Sequence, residues 1–360
     1  MDKLNDFKAE QGLMHRNTET SADRRTQAPH DAVRIDAVKP GSKILQTPAS
    51  PEAIEGFREI WQAHFLAKFK ARVIHPEFVV QPKKMLKGLL SLTELRPVGW
   101  NSGWHPAFSP QIVQQCLDLP ANTRWDVWRF TLDTPDLDAS ALAMLKQAGY
   151  AYGIIPDQPA YSIDVAYGLE AYMRNLSKDY RKTFTRKLNK LKLAGLVSEQ
   201  VDVTETTTVA EFFDTFFKHH LAYWDAKAGG SYFHDACERD YIIAWCEQLK
   251  AQGKLLLLET RINGTPVTLH MQVRLGSTVW SFLIINTGQY LDYYPGIVSI
   301  YHHLARAKAM GVTRIHLGPG DHNYKKGLCN VVTPRSTVII ANRQSLMGRA
   351  YLAMLKRKQG

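Results

Sequence analysis

A short segment near the C-terminus combines a tight turn with side chains that can do chemistry. An apolar stretch predicted as a strand, residues 312–317, runs into a turn and then into polar residues. The segment contains, in order, Gly318, Pro319, Gly320, Asp321, Tyr324 and Lys325. Glycines on both sides of a proline let the backbone bend sharply where a strand ends. Because polar groups at the carboxyl end of a strand often form ligand sites in mixed sheets, the pattern predicts either such a site or a solvated surface turn.

A second candidate lies where Tyr294, Pro295 and Gly296 lead into a predicted helix, residues 297–310. Gly296 has no Cβ, so a ligand can approach its backbone closely. The N-terminus of the helix offers unpaired N–H groups and partial positive charge, which suit an anion such as a pyrophosphate. The alternative is an ordinary turn into a helix, with proline at a favoured early position.

A strongly basic helix is predicted over residues 170–194, with Gly195 as its C-cap. One face carries an apolar stripe of Met173, Leu176, Tyr180, Phe184, Leu188 and Leu191. The opposite face carries Lys178, Arg181, Lys182, Arg186, Lys187, Lys190 and Lys192. This basic face is either solvated or binds phosphates of transfer RNA, a nucleotide-linked sugar or a cofactor. The aromatic residues lie on the buried stripe, which argues against a dedicated binder of single-stranded nucleic acid.

Histidines occur in two adjacent pairs, His219-His220 and His302-His303. Neighbouring residues diverge on a helix, so His302 and His303 cannot both ligate one metal ion. The sequence has no H-E-x-x-H motif, and we expect no metal site. It also lacks the Gly-x-Ser-x-Gly elbow of serine hydrolases.

The elements that position these residues are clearest in the second half of the chain. Thr208 and Glu211 predict a capping box that opens a helix to about residue 224, and Asp235 opens another helix. Asn263-Gly264 predicts a tight hairpin between two strands, and a third strand spans residues 278–286. The order of helices and antiparallel strands, followed by a helix and a further strand, predicts an α+β fold with one parallel crossover.

The first half gives weaker patterns. Helices are predicted over residues 52–69 and 140–148, and strands over residues 125–132 and 161–165. Residues 1–45 are polar with little periodicity, and we expect a disordered leader there.

Composition sets broad limits on the protein. The 360 residues include 45 Lys and Arg against 34 Asp and Glu, a net charge of +11. This balance permits binding to nucleic acid, anionic lipid or a polyphosphorylated cofactor without choosing among them. The four cysteines are widely spaced and predict free thiols in a reducing compartment. With no signal sequence and no apolar run long enough to span a membrane, we expect a cytoplasmic protein.

The residues after position 160 resemble the cellulose-biosynthesis-associated (CelD-like) acetyltransferases of the GNAT superfamily. The resemblance extends to about residue 330 and rests on the ordered set of features described above. Its closing motif is Gly-x-Gly-Asp-x-x-Tyr-Lys, residues 318–325, and its basic segment is Leu-Ser-Lys-x-Tyr-Arg-Lys, residues 176–182. Two positions depart from the family, because His316 replaces an acid and Leu328 replaces a tryptophan.

The resemblance implies an α+β fold in α/β/α layers, with tandem GNAT-like domains and mixed, mostly antiparallel sheets. Residues 46–160 would form a degenerate N-terminal GNAT-like half and residues 161–342 the acyltransferase domain. Residues 343–360 would form a C-terminal basic helix.

The resemblance also implies an acyl-CoA-dependent N- or O-acyltransferase that uses acetyl-CoA or another acyl-CoA. Its acceptor would be a sugar or related small molecule, in polysaccharide or cell-envelope biosynthesis. The implied cofactor-binding residues are Pro295, Gly296, Ile297, Val298, Gly318 and Gly320. The implied acceptor-binding residues are Arg181, His220 and Trp224.

Three residues take catalytic roles in this interpretation. Asp321 would accept a proton, Tyr324 would protonate the departing thiol, and Lys325 would hold a phosphate or a carboxylate. The acyl group would pass directly to the acceptor in a ternary complex, because no cysteine lies in the motifs.

Two alternatives remain open from the sequence. A relative of the Fem enzymes would use aminoacyl-tRNA, although the long coiled coil usual in those proteins has no matching heptad run here. A non-catalytic relative of the fold would bind nucleic acid or a protein partner through the basic helix.

Overall fold

The computed structural model describes residues 54–85, 90–101, 108–133, 137–227, 230–320 and 323–357. The expected leader, residues 1–45, lies outside the described residues, as does Asp321.

Helices and strands alternate along the described chain. The helices are α1 (Phe57–Phe69), α2 (Pro110–Leu117), α3 (Ala139–Gln147), α4 (Gly168–Asn175), α5 (Lys178–Leu193), α6 (Val209–Asp225), α7 (Ala236–Ala251), α8 (Pro295–Ala307), α9 (Asn323–Leu328) and α10 (Leu346–Arg357). The strands are β1 (Arg72–His75), β2 (Phe78–Met85), β3 (Leu90–Pro97), β4 (Val127–Asp133), β5 (Ala151–Asp164), β6 (Ser198–Asp202), β7 (Leu255–Ile262), β8 (Thr265–Leu275), β9 (Thr278–Asn286), β10 (Arg314–Pro319) and β11 (Val331–Ala341).

The described strands form one continuous mixed sheet in the order β1-β2-β3-β4-β11-β5-β10-β9-β8-β7-β6. Two regions of this sheet share a pattern. In the first region, the antiparallel strands end at β3, and helix α2 connects β3 to the parallel strand β4. In the second region, they end at β9, and helix α8 connects β9 to the parallel strand β10. The α+β, tandem GNAT-like fold expected from the sequence is confirmed, with the two halves merged into one sheet.

The halves exchange their last strands. Strand β5 follows β4 in the chain but pairs with β10 of the second half, and β11 follows β10 but pairs with β4 of the first half. Strands β5 and β11 also pair with each other over most of their length. The two halves therefore share a continuous backbone ladder, and we expect them to unfold together.

Separate apolar clusters hold helices against the two faces of the second half. Helices α1, α6 and α7 pack on strands β7 to β9 through a large aromatic cluster that includes Trp61, Phe213, Phe216 and Trp245. Helices α4, α5 and α8 enclose a second cluster with Ile163, Val279 and Ile315. Such burial is the main stabilising contribution to folding.

The capping and turn chemistry of the second half agrees with the sequence. The Thr208 side chain accepts from the Glu211 backbone N–H while the Glu211 carboxylate accepts from the Thr208 backbone N–H, as the capping box predicts. Asn263 and Gly264 both have positive φ between β7 and β8, so the hairpin prediction is confirmed.

Three differences from the sequence predictions have local causes. The single helix predicted over residues 170–194 is two helices, because Leu176 is extended and the Ser177 side chain caps α5 by accepting from Tyr180 N–H. The short strand predicted over residues 161–165 is the end of the 14-residue strand β5. The predicted pattern also omitted β1, β2, β3 and β6 altogether.

Candidate functional site

Strands β9 and β10 pair in parallel for three positions and then part. The last paired residues are Trp280 and His316, whose rings stack with centroids 3.8 Å apart. The His316 Nδ1 atom accepts a hydrogen bond from Gly318 N–H at 3.0 Å, and burial lowers the pKa of His316 to about 3. The stacked pair is therefore uncharged near neutral pH and forms the closed end of a wedge between the strands.

A β-bulge lies at the same point on the other edge of β9. Met271 of β8 pairs with Leu283, and Gln272 pairs with Ser281, so that Phe282 is the extra residue. A bulge interrupts the regular ladder between two strands.

Helix α8 begins beside the far end of β9. Tyr294 precedes it with φ of 56°, a left-handed conformation that is strained for a tyrosine. Pro295 opens the helix two residues earlier than the sequence predicted, and no side chain caps it. A Cβ added at Gly296 meets the Asn286 Oδ1 atom at 3.9 Å, an ordinary contact. Packing within the described chain therefore does not require glycine at this position, which leaves the approach of a ligand as a reason for it.

A pocket of about 790 Å³ lies against the basic face of α5 and the start of α8. Its lining residues are Lys178, Arg181, Lys182, Thr185, Arg186, Lys187, Asn189, Lys190, Leu193 and Tyr294. Six of these ten side chains are cations. The basic face that the sequence analysis identified on a helix thus lies next to the Pro295-Gly296 segment, which the sequence could not indicate.

Tyrosine rings connect the two sides of this pocket. The Lys187 ammonium lies 4.4 Å from the centre of the Tyr294 ring, and the Lys190 ammonium lies 5.4 Å from the centre of the Tyr293 ring. Lys190 also donates to the Asp292 carbonyl at 3.0 Å. Burial, with a smaller contribution from Arg186, lowers the pKa of Lys187. These contacts hold Tyr294 in its left-handed conformation. The concentration of positive charge favours the binding of an anion.

Lys325 lies inside the turn after β10. Its Nζ donates to the carbonyls of Pro319 at 2.7 Å and Gly318 at 3.3 Å, and burial lowers its pKa to about 8. Gly318 and Gly320 have φ of 72° and 114°, which glycine adopts far more readily than other residues. The lysine thus fixes the shape of the turn that the sequence analysis identified.

Tyr324 lies one helical turn from Gly327 and packs among apolar residues of α4 and α5. Burial raises the pKa of Tyr324 well above its usual range, so the hydroxyl keeps its proton at neutral pH. Helix α9 approaches Tyr180 so closely that a Cβ added at Gly327 would lie 2.0 Å from that ring. Gly327 is therefore required by packing, in contrast to Gly296.

The predicted acceptor-binding residues occupy two places. Arg181 lines the basic pocket and donates to the Arg174 carbonyl at 3.2 Å. His220 and Trp224 are buried on α6, where the His220 Nδ1 atom lies 2.9 Å from Ser231 Oγ. Burial lowers the pKa of His220 to about 4. A role in acceptor binding for these two residues stays a prediction.

One pair of polar residues at the wedge was not predicted. His270 on β8 lies with its Nε2 atom 2.7 Å from the Ser281 Oγ atom on β9. The hairpin places both residues on the face of the sheet that carries α8. The sequence signal would have been alternating polar residues (Thr268, His270 and Gln272) in an otherwise apolar strand.

Two negative observations hold for the described part of the chain. None of its helices has the length and apolar character needed to cross a membrane. Across the same residues, no three His, Cys, Asp or Glu side chains are grouped to hold a metal ion.

Comparison with known proteins gives a family for part of the chain. Residues 178–326 match the family described as an acetyltransferase (GNAT) domain. A search of curated proteins gives no match.

Solved structures resemble most of the chain at low identity. A conserved protein of unknown function from Bacteroides thetaiotaomicron is 9% identical, covers 80% of this chain and 91% of its own, and has a TM-score of 0.51. L-PGS from Bacillus licheniformis is 12% identical, covers 88% and 98%, and has a TM-score of 0.50. FemX is 10% identical, covers 81% and 96%, and has a TM-score of 0.48, too low to carry an argument.

These structural similarities concern the fold alone, whereas the sequence match concerns the region that contains both the wedge and the basic pocket. The CelD-like specificity is not shown by any of the comparisons. The family similarity is therefore to the GNAT acetyltransferase domain and is confined to residues 178–326.

Proposed function

We propose that this protein is an acyl-CoA-dependent N- or O-acyltransferase with a sugar or related small molecule as acceptor. The diphosphate of coenzyme A lies over the first amide groups of α8, and the thioester reaches the wedge between β9 and β10. Acetyl-CoA or another acyl-CoA is the donor.

The observation that carries the proposal is the uncapped start of α8 beside six cations. A helix N-terminus attracts anions through its unpaired N–H groups and its dipole. No side chain caps α8, and the six cations of the pocket lie on the neighbouring helix. The Ile297 and Val298 N–H groups donate to the Tyr294 carbonyl, so the Gly296 N–H and the helix dipole are what the start of α8 offers to an anion. A nucleotide with several phosphates matches both features, and Gly296 allows its close approach.

The wedge is suited to hold the rest of the donor. A pantetheine chain is extended and has two amide groups, so it can pair with the strand edges that β9 and β10 expose after they part. Positioning of donor and acceptor supplies much of the rate.

Catalytic roles extend the proposal to the turn after β10. Asp321 accepts a proton from the acceptor or orients the group that does so, and Tyr324 protonates the departing thiolate. Burial raises the pKa of Tyr324, so the hydroxyl is protonated in the free protein. Lys325 fixes the turn through the carbonyls of Gly318 and Pro319, and His220 and Trp224 support the acceptor side.

A second function is favoured by the length of the basic row. Six cations along 13 residues of one helix exceed what three phosphates of a single cofactor need. An aminoacyl-tRNA donor would occupy more of them. Its binding would fall steeply with salt concentration, because each phosphate contact releases counterions.

A thermal-shift titration with acetyl-CoA, longer acyl-CoAs and transfer RNA distinguishes these functions. A ligand that binds only the folded protein at about a hundred times its dissociation constant adds about 2.7 kcal/mol to the free energy of unfolding. We expect acyl-CoA to stabilise the protein and transfer RNA to have no effect. Stabilisation by transfer RNA alone would replace the acyl-CoA proposal with the second function.

Asp321→Asn tests the catalytic assignment. It should abolish turnover of acetyl-CoA and leave coenzyme A affinity within about twofold, because the substitution removes the carboxylate that accepts the proton or orients the accepting group and keeps the size of the side chain. Loss of both affinity and stability would assign Asp321 to the structure of the turn.

A further inference from the structure

Ser281 and His270 lie at the point where the thioester ends in the proposed function. Ser281 is the first residue of β9 after Trp280, the last position paired with β10. Ser281 is partly exposed and His270 is buried beneath it, with Ser281 Oγ and His270 Nε2 2.7 Å apart. A partly exposed hydroxyl backed by a buried imidazole is the arrangement that moves a proton away from a reacting group.

Other side chains fix the imidazole. The Gln272 Nε2 atom lies 3.1 and 3.2 Å from the two ring nitrogens of His270, and 3.5 Å from both ring nitrogens of His303 on α8. Because the distances to the two nitrogens of each ring are nearly equal, the Gln272 amide nitrogen lies over the faces of the two rings and not at their edges. The edge of His270 that carries Nε2 is therefore directed to Ser281.

A path for the proton continues beneath α8. Residues of three adjacent strands, Gln200, Thr260 and Thr268, form one row across the sheet. Their side-chain oxygens, with those of Gln272 and Ser299, are buried without a hydrogen-bond partner among the described residues. Buried polar atoms of this kind are usually satisfied by ordered water, which can conduct a proton to the sheet edge.

We propose that Ser281 and His270 form the proton-accepting pair of the acyl-transfer site, with Ser281 touching the acceptor and His270 acting through it. This inference rests on the proposed function. As the acceptor nitrogen or oxygen attacks the thioester carbon, its proton passes to Ser281 Oγ while the Ser281 proton passes to His270 Nε2. The carbon–sulfur bond then breaks and the thiolate takes a proton from Tyr324. The proton on His270 is released to solvent, from which Tyr324 regains one.

The step requires one tautomer of His270. Nε2 must be unprotonated to accept from Ser281, so the proton of the neutral ring lies on Nδ1. Burial, reinforced by His303, lowers the pKa of His270 and agrees with a neutral ring.

Nitrogen-15 NMR of histidine-labelled full-length protein reads this tautomer directly. His270→Gln identifies the His270 signals by their loss. We expect an unprotonated Nε2, a change in its shift in Ser281→Ala, and a further change when acetyl-CoA is added to the wild-type protein. Adenosine 3′,5′-bisphosphate, which is the nucleotide end of coenzyme A without pantetheine, should bind and leave His270 unchanged.

The pair Ser198 and His302 is the matched control. Its Oγ and Nε2 atoms are 2.9 Å apart, but the pair joins β6 to α8 away from the wedge. Ser198→Ala should change the signals of His302 and leave those of His270 unchanged. Adding acetyl-CoA should leave the His302 signals unchanged. Calorimetry should give coenzyme A affinities within about twofold for all four proteins.

The outcomes separate this inference from the function it rests on. If acetyl-CoA binds while His270 carries its proton on Nε2, or while its signals do not move, the proton-accepting pair is wrong and the acyltransferase proposal stands. If adenosine 3′,5′-bisphosphate shifts the His270 signals as much as acetyl-CoA does, the response reflects a general conformational change. The assignment of Ser281 and His270 as the proton-accepting pair would then also be wrong. Failure of coenzyme A to bind would overturn both.

Discussion

Each half of the sheet has a helix that begins with proline and leads to a parallel strand, but the start of this helix differs between the halves. In the first half, helix α2 begins with Ser109, whose side chain accepts from Ile112 N–H, and Pro110 follows. In the second half, helix α8 also begins with proline, but Tyr294 precedes it and no side chain caps it. A side chain accepts from the third residue of the first helix, whereas in the second helix the Ile297 N–H donates to the Tyr294 backbone carbonyl at 2.9 Å and no side chain caps the helix.

The place where the two parallel strands part also differs between the halves. Strands β3 and β4 part after Leu95 and Trp128, where Glu94 accepts from Arg96, Arg129 and Lys83. On the corresponding face of the second half, the wedge ends in the uncharged pair Trp280 and His316. One wedge is filled by ion pairs of the chain itself. The difference favours the second half as the place where the donor binds in the proposed function.

The largest expected effect comes from breaking the ion-pair cluster of the first half. Glu94 is 1% exposed, and Glu94→Gln leaves the buried Arg96 and the half-buried Arg129 without this counter-charge. We expect a loss of about 3–5 kcal/mol in the free energy of unfolding, measured by urea denaturation. Coenzyme A affinity at 10 °C in the absence of urea should stay within about twofold. A large loss of affinity in the folded variant would place a ligand in the first half.

Acid should lower the stability of the whole fold first through buried histidines of the second half. Burial holds His220 and His303 at a pKa of about 4 and His316 at about 3, below the value near 6.5 in the unfolded chain. Because the unfolded chain then binds more protons, stability is fully present above about pH 6.5 and falls as pH decreases toward the folded pKa values. Each histidine contributes up to about 1.4 kcal/mol per pH unit.

Glu94 has the same sign in a lower range. Its neighbouring cations hold the pKa of its carboxyl far below the usual value, so its contribution is lost only as pH falls below about 4.5. Urea denaturation at pH 7.5, 6.0 and 5.0 checks the histidine contribution without involving Glu94. A free energy of unfolding that stays constant over this range would show that the histidines are not held neutral.

Neutralising the basic pocket should change binding and leave stability nearly intact. We expect Arg186→Gln combined with Lys187→Gln to weaken coenzyme A binding by about 10- to 100-fold, or 1.5–3 kcal/mol, because each charge-assisted contact to phosphate is lost. Isothermal titration calorimetry measures the change. Lys192→Gln is the control, since Lys192 is exposed on the same helix and does not line the pocket. An equal loss in the control would indicate long-range charge attraction without a defined site.

The smallest expected effect is a change in coenzyme A affinity that distinguishes the start of α8 from the start of α2. Gly296→Ala should weaken coenzyme A binding about tenfold, roughly 1.4 kcal/mol, because the added methyl group lies between the backbone and the diphosphate. The methyl group meets only an ordinary contact in the protein, so the midpoint of thermal unfolding should not fall. The corresponding change after the proline of α2, Gln111→Ala, should alter neither quantity. Unchanged affinity in Gly296→Ala would remove the diphosphate from this helix.

The sequence predicted the second half well because its signals are local. Capping at Thr208, the hairpin turn at Asn263-Gly264 and strand 278–286 each follow from neighbouring residues. In the first half, α1, α3 and β4 were predicted, but β1, β2 and β3 were missed. Two of the missed strands break the usual patterns. Pro82 lies within β2, and the buried charges Glu94 and Arg96 hide the alternation of β3.

Strand β5 shows how tertiary pairing overrides local sequence. Pro156 and Pro159 end the strand pattern in the sequence, yet β5 continues through them to pair with both β11 and β10. Shifts in register near Pro159 accommodate the missing N–H donor. Only the exchange of strands between the halves explains this length, and no local pattern encodes it.

The candidate site was predicted in part. The Pro295-Gly296 helix start and the basic face were both identified, but their contact across the pocket depends on how α5 packs. The pair His270 and Ser281 could not be found from spacing, because a bulge at Phe282 brings the two residues together.

A crystal structure of the protein with coenzyme A shows directly where the donor binds. We expect the diphosphate at the start of α8 next to the Gly296 amide, phosphate oxygens within reach of Arg186 or Lys187, and the pantetheine between β9 and β10. Coenzyme A bound at the start of α2, or bound elsewhere with the β9–β10 wedge closed by side chains, would contradict this expectation.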